Sequence, residues 1–164
     1  MDFVIYDKSI IENKNLLNYI FSTLQENLGF LYGENMITEK SRQDWIKNNL
    51  LTDVYWRIVI AVDNDSKPCG FLIYTVSNGI FTVNDIEINK NYRFNPFILK
   101  GLFITAFNRE NENWKVLKGY INDKNAISKK NFLKLATEIT KTNHGIIISI
   151  PREKITNQFL RRII

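Results

Sequence analysis

The sequence has little of what metal centres, disulfide scaffolds and nucleophile triads require. Its 164 residues include one cysteine, Cys69, and one histidine, His144. One cysteine excludes an internal disulfide, and these two residues are too few for the usual ligand set of a zinc site. A Ser/His/Asp triad would have to use His144, which directly precedes a strand-like segment and is expected to be structural. No metal is therefore predicted, and Cys69 is expected to be a packing residue.

Long hydrophobic segments are also missing. No apolar run has the length needed to span a bilayer, so no membrane partner is expected. The N-terminus carries Asp2 and Asp7 instead of the basic and then apolar pattern of a signal peptide. With 45% hydrophobic residues and no repeat, low-complexity tract or linker, residues 1–164 are predicted to form a single domain in the cytoplasm.

The net charge is moderate and evenly spread. Lysine and arginine exceed aspartate and glutamate by 22 to 17, a net charge of +5. This balance favours acidic partners such as nucleic acid or a phosphate-bearing cofactor, although many proteins carry it without such a partner. Adjacent basic residues occur only at Lys129-Lys130 and Arg161-Arg162. Without a basic stripe interleaved with aromatics, nucleic-acid binding is kept only as an alternative.

The periodicity of apolar residues predicts a succession of helices and short strands. The predicted elements are a strand at 3–6, helices at about 10–31 and from Thr38 through about Leu50, strands at 55–62, 70–76 and 83–89, a helix at about 96–107, a strand at 114–121, a helix from Asn122 or Asp123 to about Thr142, and a strand at 146–150. Asn78-Gly79 predicts a hairpin turn of type I′. Because a helix separates the strands at 83–89 and 114–121, these two should be parallel.

The tail at 152–164 is left open by the sequence. Its apolar residues suit a last strand, a docking helix or an oligomer contact, and a homodimer is compatible with the last of these.

Residues 82–107 organise the chain. Asp85, Glu87 and Asn89 alternate with Ile86 and Ile88, which is typical of a half-buried strand. Asn95 is a plausible helix N-cap, and Pro96 suits the first helical position, where no amide hydrogen is needed. Gly101 in the following helix predicts a close approach to the sheet or to a cofactor, a tolerated defect being the alternative.

The order of these elements resembles the GNAT acetyltransferase superfamily over nearly the whole chain. Three places carry the likeness: an acidic turn leading to Gly70-Phe71, a loop after Ile88, and a helix begun by Asn122-Asp123. The resemblance implies an α/β (α+β) fold, with a mixed, mostly antiparallel central sheet flanked by helices in the order β-α-α-β-β-β-α-β-α-β. It also implies acetyl-CoA as co-substrate and an amine as acceptor.

The loop after Ile88 departs from the family pattern. The family has an Arg/Gln-x-x-Gly-x-Gly/Ala loop whose backbone amides hold the pyrophosphate of coenzyme A. Here Arg93 matches the first position, whereas Pro96 and Ile98 replace the two small residues, and proline removes one amide donor. By resemblance, the cofactor-binding residues would be Ile88, Arg93, Phe94, Asn95, Phe97, Ile98, Asn122 and Lys129. The alternative is a capped, tightly packed turn that binds nothing.

The resemblance places a general base at Glu87. Asp85 shares its strand face, with Cα atoms about 6.5–7 Å apart, and the alternative is that both acids line a polar face. The family often has a tyrosine as acid for the leaving thiolate, where this chain has about Lys129, so Tyr120 on the neighbouring strand is a substitute candidate.

Three functional hypotheses follow. The first is an acetyl-CoA-dependent N-acetyltransferase acting on an amine of a small molecule, peptide or other polymer. The second is a catalytically inactive GNAT-like binding or assembly module, for instance of phage or mobile-element origin, which the altered loop and missing tyrosine favour. The third is a basic module acting on nucleic acid, for which affinity should fall steeply with salt.

Overall fold

The computed structural model describes residues 1–33, 37–51, 56–93, 95–111 and 113–155. Its strands and helices are β1 (Asp2–Tyr6), α1 (Lys14–Tyr32), α2 (Glu39–Asn49), β2 (Trp56–Val62), β3 (Pro68–Ser77), β4 (Ile80–Ile88), α3 (Pro96–Glu110), β5 (Val116–Asn122), α4 (Ala126–Leu133), β6 (Glu138–Lys141) and β7 (Gly145–Pro151). Short 3-10 turns occupy Lys8–Glu12, Lys90–Tyr92 and Arg152–Lys154.

The seven strands form one sheet in the order β1-β2-β3-β4-β5-β7-β6. Neighbouring strands are antiparallel except β4 and β5, which are parallel as predicted. The sheet is therefore mixed and mostly antiparallel, which confirms the expected fold class.

Helices cover both faces of the sheet, and the sheet separates the hydrophobic core into two clusters, one on each face. Alternate residues of β2 and β3 point to opposite sides, because side chains alternate along a strand. Ile58, Ile60, Phe71 and Ile73 pack with α1, whereas Leu72 and Tyr74 pack with α3. No helix in the described ranges is long and apolar enough to cross a membrane.

The predicted turns and caps form as the local sequence indicates. Asn78 and Gly79 both adopt positive φ, 51° and 75°, as a type I′ turn requires. Thr38 caps α2 in a reciprocal capping box with Ser41. Asn95 caps α3 by accepting a hydrogen bond from the amide of Phe97, and Pro96 is the first helical residue.

The helix predicted to reach Thr142 is too long, and one strand was missed. Helix α4 ends at Leu133, and Glu138–Lys141 forms β6, which pairs with β7. All four β6 side chains are exposed, so this strand carries no burial pattern and exists through its pairing with β7. The sheet thus has one strand more than the predicted order contains.

Two helix starts also differ from the prediction. Helix α1 begins at Lys14 rather than near Ile10, because the Asn13 side chain caps it and residues 8–12 form a separate 3-10 turn. Helix α4 is capped by Asn125, not by Asn122 or Asp123. The Asn122 side chain instead accepts a hydrogen bond from the amide of Lys124. Of the tail, Arg152–Lys154 is a 3-10 turn, and residues 156–164 lie outside the described residues.

Gly101 allows α3 to approach the first strand closely. A Cβ atom at this position would overlap the aromatic ring of Phe3. The predicted close approach to the sheet is therefore found, and the partner is a β1 side chain.

Candidate active site

A cleft opens where β4 and β5 separate. The two strands pair only over residues 80–83 and 116–119, and the following parts of both strands lack pairing with each other. Between these parts lies a cleft of about 170 Å³, lined by residues 84–87 of β4, residues 120–122 of β5, the α4 cap Asn125, and Ser128 and Phe132 of α4. Unpaired strand edges present backbone groups to whatever occupies such a cleft.

A bulge in β4 decides which side chains face α1. Tyr74 pairs with Val83 and Ile73 pairs with Asp85, so Asn84 is an extra residue without a partner in β3. One extra residue reverses the faces of every residue that follows it. Val83 lies on the α3 side with Tyr74, and beyond the bulge the α3 side is taken by Ile86. Asp85 and Glu87 are thereby turned toward α1.

Both carboxyl groups titrate near neutral pH. Burial raises the pKa of Asp85 to about 7, and the neighbouring charge of Glu87 adds to the rise. Burial also raises the pKa of Glu87 to about 7, against the opposing effects of a hydrogen bond from Asn27 and the positive charge of Arg93. A carboxyl group with such a pKa is suited to accept a proton at neutral pH.

Asn27 of α1 holds the Glu87 side chain. Its Nδ2 donates to Glu87 Oε2 at 2.6 Å and to the carbonyl oxygen of Ile88 at 3.2 Å, and its Oδ1 accepts a hydrogen bond from the Arg93 guanidinium. The Asn27 residue is only 7% exposed. The carboxylate is therefore fixed from the α1 side by a buried, fully engaged amide.

The loop between β4 and α3 uses many of its backbone amides in hydrogen bonds to its own residues. Several of its amides already have acceptors within the loop, namely those of Asn91, Tyr92, Asn95, Phe97 and Ile98. Pro96 has no amide hydrogen. These groups therefore form no free amide cradle of the kind that glycine-rich loops offer to phosphates. What the loop offers to an anion is its cationic side chains.

Two loop cations are bound by α1. Lys90 Nζ lies 2.5 Å from Glu26 Oε1, and Arg93 is hydrogen-bonded to Asn27. Glu26 and Asn27 are consecutive residues, so the C-terminal part of α1 contacts the loop at two adjacent points. An anion that binds Arg93 in this loop has to compete with Asn27.

The predicted catalytic residues converge on the cleft. Asp85, Glu87 and Tyr120 all line it, and Tyr120 is 49% exposed, with its hydroxyl group near Gly145. Cys69 is buried and donates its thiol hydrogen to the carbonyl of Ala61, as expected of a packing residue. His144 is exposed.

The predicted cofactor residues are more dispersed. Asn122 lines the cleft, Ile88 and Ile98 pack in the core, and Phe97 is 69% exposed at the start of α3. Lys129 lies away from the cleft lining and pairs with Asp123 at 2.6 Å. Phe94 lies outside the described residues. In the described part of the chain, no cluster of three His, Cys, Asp or Glu side chains could hold a metal ion.

Sequence reasoning missed the polar residues that complete the site: Asn27, Asn84, Asn125 and Ser128. Asn27 lies between Leu24 and Leu28 on the apolar face of α1, where a polar side chain needs a buried partner. No sequence signal marks Asn84; in the structure its buried Nδ2 has no hydrogen-bond partner within the part of the chain that is described.

Comparison with known proteins supports the fold. No protein-family model and no curated protein sequence matches this chain. Among solved structures, it is similar to the PaiA N-acetyltransferase from Thermoplasma acidophilum in complex with coenzyme A, at 16% identity over 92% of this chain and 99% of that chain, with a TM-score of 0.62. Tetrahymena GCN5 gives 13% identity, 92% and 96% coverage and a TM-score of 0.63. An acetyltransferase of the GNAT family from Staphylococcus aureus Mu50 gives 13% identity, 92% and 98% coverage and a TM-score of 0.59.

The chain therefore shares its overall fold with these solved structures over nearly its whole length. It is the GNAT fold, and the resemblance predicted from the order of elements is confirmed at the level of the fold.

Proposed function

We propose that the protein is an N-acetyltransferase that transfers the acetyl group of acetyl-CoA to an amine acceptor. The observation that carries this proposal is the placement of Glu87, with a pKa of about 7, in the cleft between β4 and β5. Among the solved structures of the same fold, PaiA is an N-acetyltransferase in complex with coenzyme A.

The residues of the cleft suit the acyl-bearing part of such a co-substrate. The edge of β4 beyond the bulge is not paired with β5, and the buried Nδ2 of Asn84 lacks an acceptor in the described ranges. The cleft therefore offers donors that a carbonyl or amide ligand would satisfy. Asn122 and Ser128 line the opposite wall. Acetyl-CoA would supply an activated thioester there.

The loop suits the phosphates only through its side chains. Arg93 is the residue proposed to bind the pyrophosphate, with Lys90 and Lys100 as neighbouring cations, since the amides of Phe97 and Ile98 are already bonded. Ile88 and Asn95 shape this loop, through packing and through the cap of α3. Phe94, as part of this loop, and Lys129, on the far side of the cofactor, stay sequence-based proposals.

Glu87 is proposed to act as the general base. Its carboxylate accepts a proton from the ammonium form of the acceptor, directly or through a water molecule, and the freed amine then forms a C–N bond with the acetyl carbon while the C–S bond breaks. The thiolate that leaves requires a proton, which Tyr120 in the same cleft is proposed to donate, and the tyrosinate regains a proton from the nitrogen as the neutral amide forms. In its ionised form, Asp85 adds negative charge that attracts a cationic acceptor.

Calorimetric titration with acetyl-CoA and desulfo-CoA is the direct test, followed by a panel of amines with acetyl-CoA. We expect binding that weakens in Arg93→Ala, and a rate that falls by about 10²–10⁴ in Glu87→Gln with similar acetyl-CoA affinity. The exposed Glu138→Gln is the matched control and should behave as wild type. No heat and no thermal shift at millimolar acetyl-CoA would exclude the proposal.

A second candidate is a GNAT-like module without catalysis. The specific observation in its favour is the loop, whose amides are satisfied internally and whose Lys90 and Arg93 are bound by α1. This candidate predicts no acetyl-CoA binding and a protein or nucleic-acid partner recovered by pull-down. Salt titration of that complex then separates the two partners, because nucleic-acid binding weakens steeply with salt.

A further inference from the structure

Asn27 joins three segments that belong to different parts of the site. Through one buried side-chain amide it contacts the Glu87 carboxylate, the backbone of Ile88 at the end of β4, and the Arg93 guanidinium of the loop. A buried amide is costly unless it is hydrogen-bonded. Here both the NH₂ group and the oxygen of the Asn27 amide are hydrogen-bonded. The cost of burying this polar side chain is therefore offset only while Glu87, Ile88 and Arg93 stay in contact with it.

The orientation of the Asn27 amide is dictated by its neighbours. Glu87 and Ile88 present acceptors and therefore require the NH₂ group, whereas Arg93 presents only donors and requires the oxygen. The reversed amide would place oxygen against oxygen and NH₂ against the guanidinium. Arg93 and Glu87 are thus connected through a side chain that can adopt only one orientation while both contacts persist.

We propose that Asn27 is a positioning residue that holds the Glu87 carboxylate and links it to Arg93, so that a phosphate group capturing Arg93 separates the carboxylate from its cationic neighbour. This inference rests on the proposed function, because it gives Glu87 and Arg93 the roles of base and phosphate-binding residue.

The linkage follows from the charges around Glu87. Among the described residues these are Asp85 on its own strand, Arg93 on the loop and, as a titratable group across the cleft, Tyr120. The next charged residue of α1, Glu26, is paired with Lys90. The hydrogen bond from Asn27 and the charge of Arg93 both lower the pKa of Glu87. When Arg93 moves to a phosphate, the pKa of Glu87 rises, and the carboxylate becomes a stronger base in the loaded site.

The experiment is a titration of the Glu87 carboxyl carbon by NMR on protein labelled with 5-¹³C-glutamate, with Glu87→Gln identifying the signal. Asn27→Ala is compared with Asn15→Ala, an exposed position on the same helix. We expect the pKa of Glu87 to rise by about one to two units in Asn27→Ala, since a hydrogen bond to a charged group is worth about 1.5–3 kcal/mol. Asn15→Ala should leave it unchanged. Circular dichroism and melting curves establish that both variants fold.

Inorganic pyrophosphate then probes the link to the loop. Saturating pyrophosphate should raise the pKa of Glu87 in the wild type and raise it less than half as much in Asn27→Ala, where Arg93 is no longer held beside Glu87. In Arg93→Gln, pyrophosphate should leave the Glu87 titration where it was. An unchanged Glu87 pKa in Asn27→Ala overturns the positioning role. A wild-type Glu87 titration that millimolar pyrophosphate does not move overturns the linkage.

The two proposals fail separately. The titration needs no turnover and no acetyl-CoA, so it can succeed in a protein that acetylates nothing. If acetylation is found, the dependence of its rate on pH gives a second measure of the Glu87 pKa. In Asn27→Ala, the rise of the rate with pH should move to higher pH by as much as the Glu87 pKa measured by NMR. Asn27→Asp, which keeps the acceptor for Arg93 but loses the donor to Glu87, should not restore the wild-type profile.

Discussion

Asp85 lies two residues before Glu87 on the same face of β4, and the charge of Glu87 helps to raise the pKa of Asp85. Two carboxyl groups buried side by side favour the protonated state, and this has a consequence for stability. Because the folded-state pKa of Asp85, about 7, exceeds the pKa of 3.8 of an aspartate in the unfolded chain, the folded state binds more protons at pH values between the two. The free energy of unfolding therefore falls as the pH rises from about 4 to 7 and levels off above.

Asp85→Asn should remove the part of this pH dependence that comes from Asp85, while the part that comes from Glu87 remains. We expect the variant to gain stability over the wild type as the pH is raised from 5 to 8, by about 2 kcal/mol over that interval. Urea unfolding at the two pH values is the measurement. The exposed α2 substitution Asp44→Asn is the control and should change little at either pH. A stability difference between Asp85→Asn and wild type that stays constant with pH would contradict the prediction.

Gly101→Ala should destabilise the fold although alanine is the better helix former. Alanine gains about 1 kcal/mol of helix propensity, but its Cβ would overlap the Phe3 ring, and overpacking costs about 1–3 kcal/mol. We expect a lower melting temperature, partly recovered in the double variant with Phe3→Leu. Gly119→Ala is the matched control, because its Cβ would have Val83 as neighbour at 3.8 Å, an ordinary contact. If Gly101→Ala lowered the melting temperature equally in the wild-type and in the Phe3→Leu protein, the overlap with Phe3 would not be the cause.

The sequence predicts the parts of the fold that have local causes. The hairpin at Asn78-Gly79 and the cap at Asn95 depend on a few neighbouring residues, and both form as expected. Strand β6 has no such cause: its four exposed residues show no alternation of burial, and its pairing with β7 is a tertiary event. The sequence therefore predicts a helix across the residues that form β6.

The acidic residues of the candidate site can be predicted from the sequence, whereas its asparagine residues cannot. Asp85 and Glu87 stand out because they alternate with isoleucines. One feature of the sequence indicates the bulge that turns them toward α1. The spacing of apolar residues along β4 is two from Phe81 to Val83 and three from Val83 to Ile86. Asn27 is separated from Glu87 by 60 positions, and no local pattern indicates which strand a buried amide will contact.

Asn84→Ala should separate stability from ligand binding. The buried Nδ2 of Asn84 has no hydrogen-bond partner among the described residues, and an unsatisfied buried donor costs about 1–3 kcal/mol. Removing it should therefore leave the melting temperature unchanged or raise it. If the amide donates to a ligand in the cleft, the same change should weaken acetyl-CoA binding by about 5- to 10-fold, the worth of one hydrogen bond.

Melting curves and calorimetry on the same preparations measure both effects, and Asn108→Ala on the exposed side of α3 is the control. A lower melting temperature with unchanged binding would mean that the Asn84 side chain serves only the bulge. An unchanged or higher melting temperature with weaker binding would mean that its donor is kept for the ligand, because a protein retains an unpaired buried amide at a cost to its own stability. Asn84→Asp separates the donor from the bulge geometry, since aspartate has a similar shape but replaces the NH₂ donor with an acceptor, and it should bind acetyl-CoA no better than Asn84→Ala.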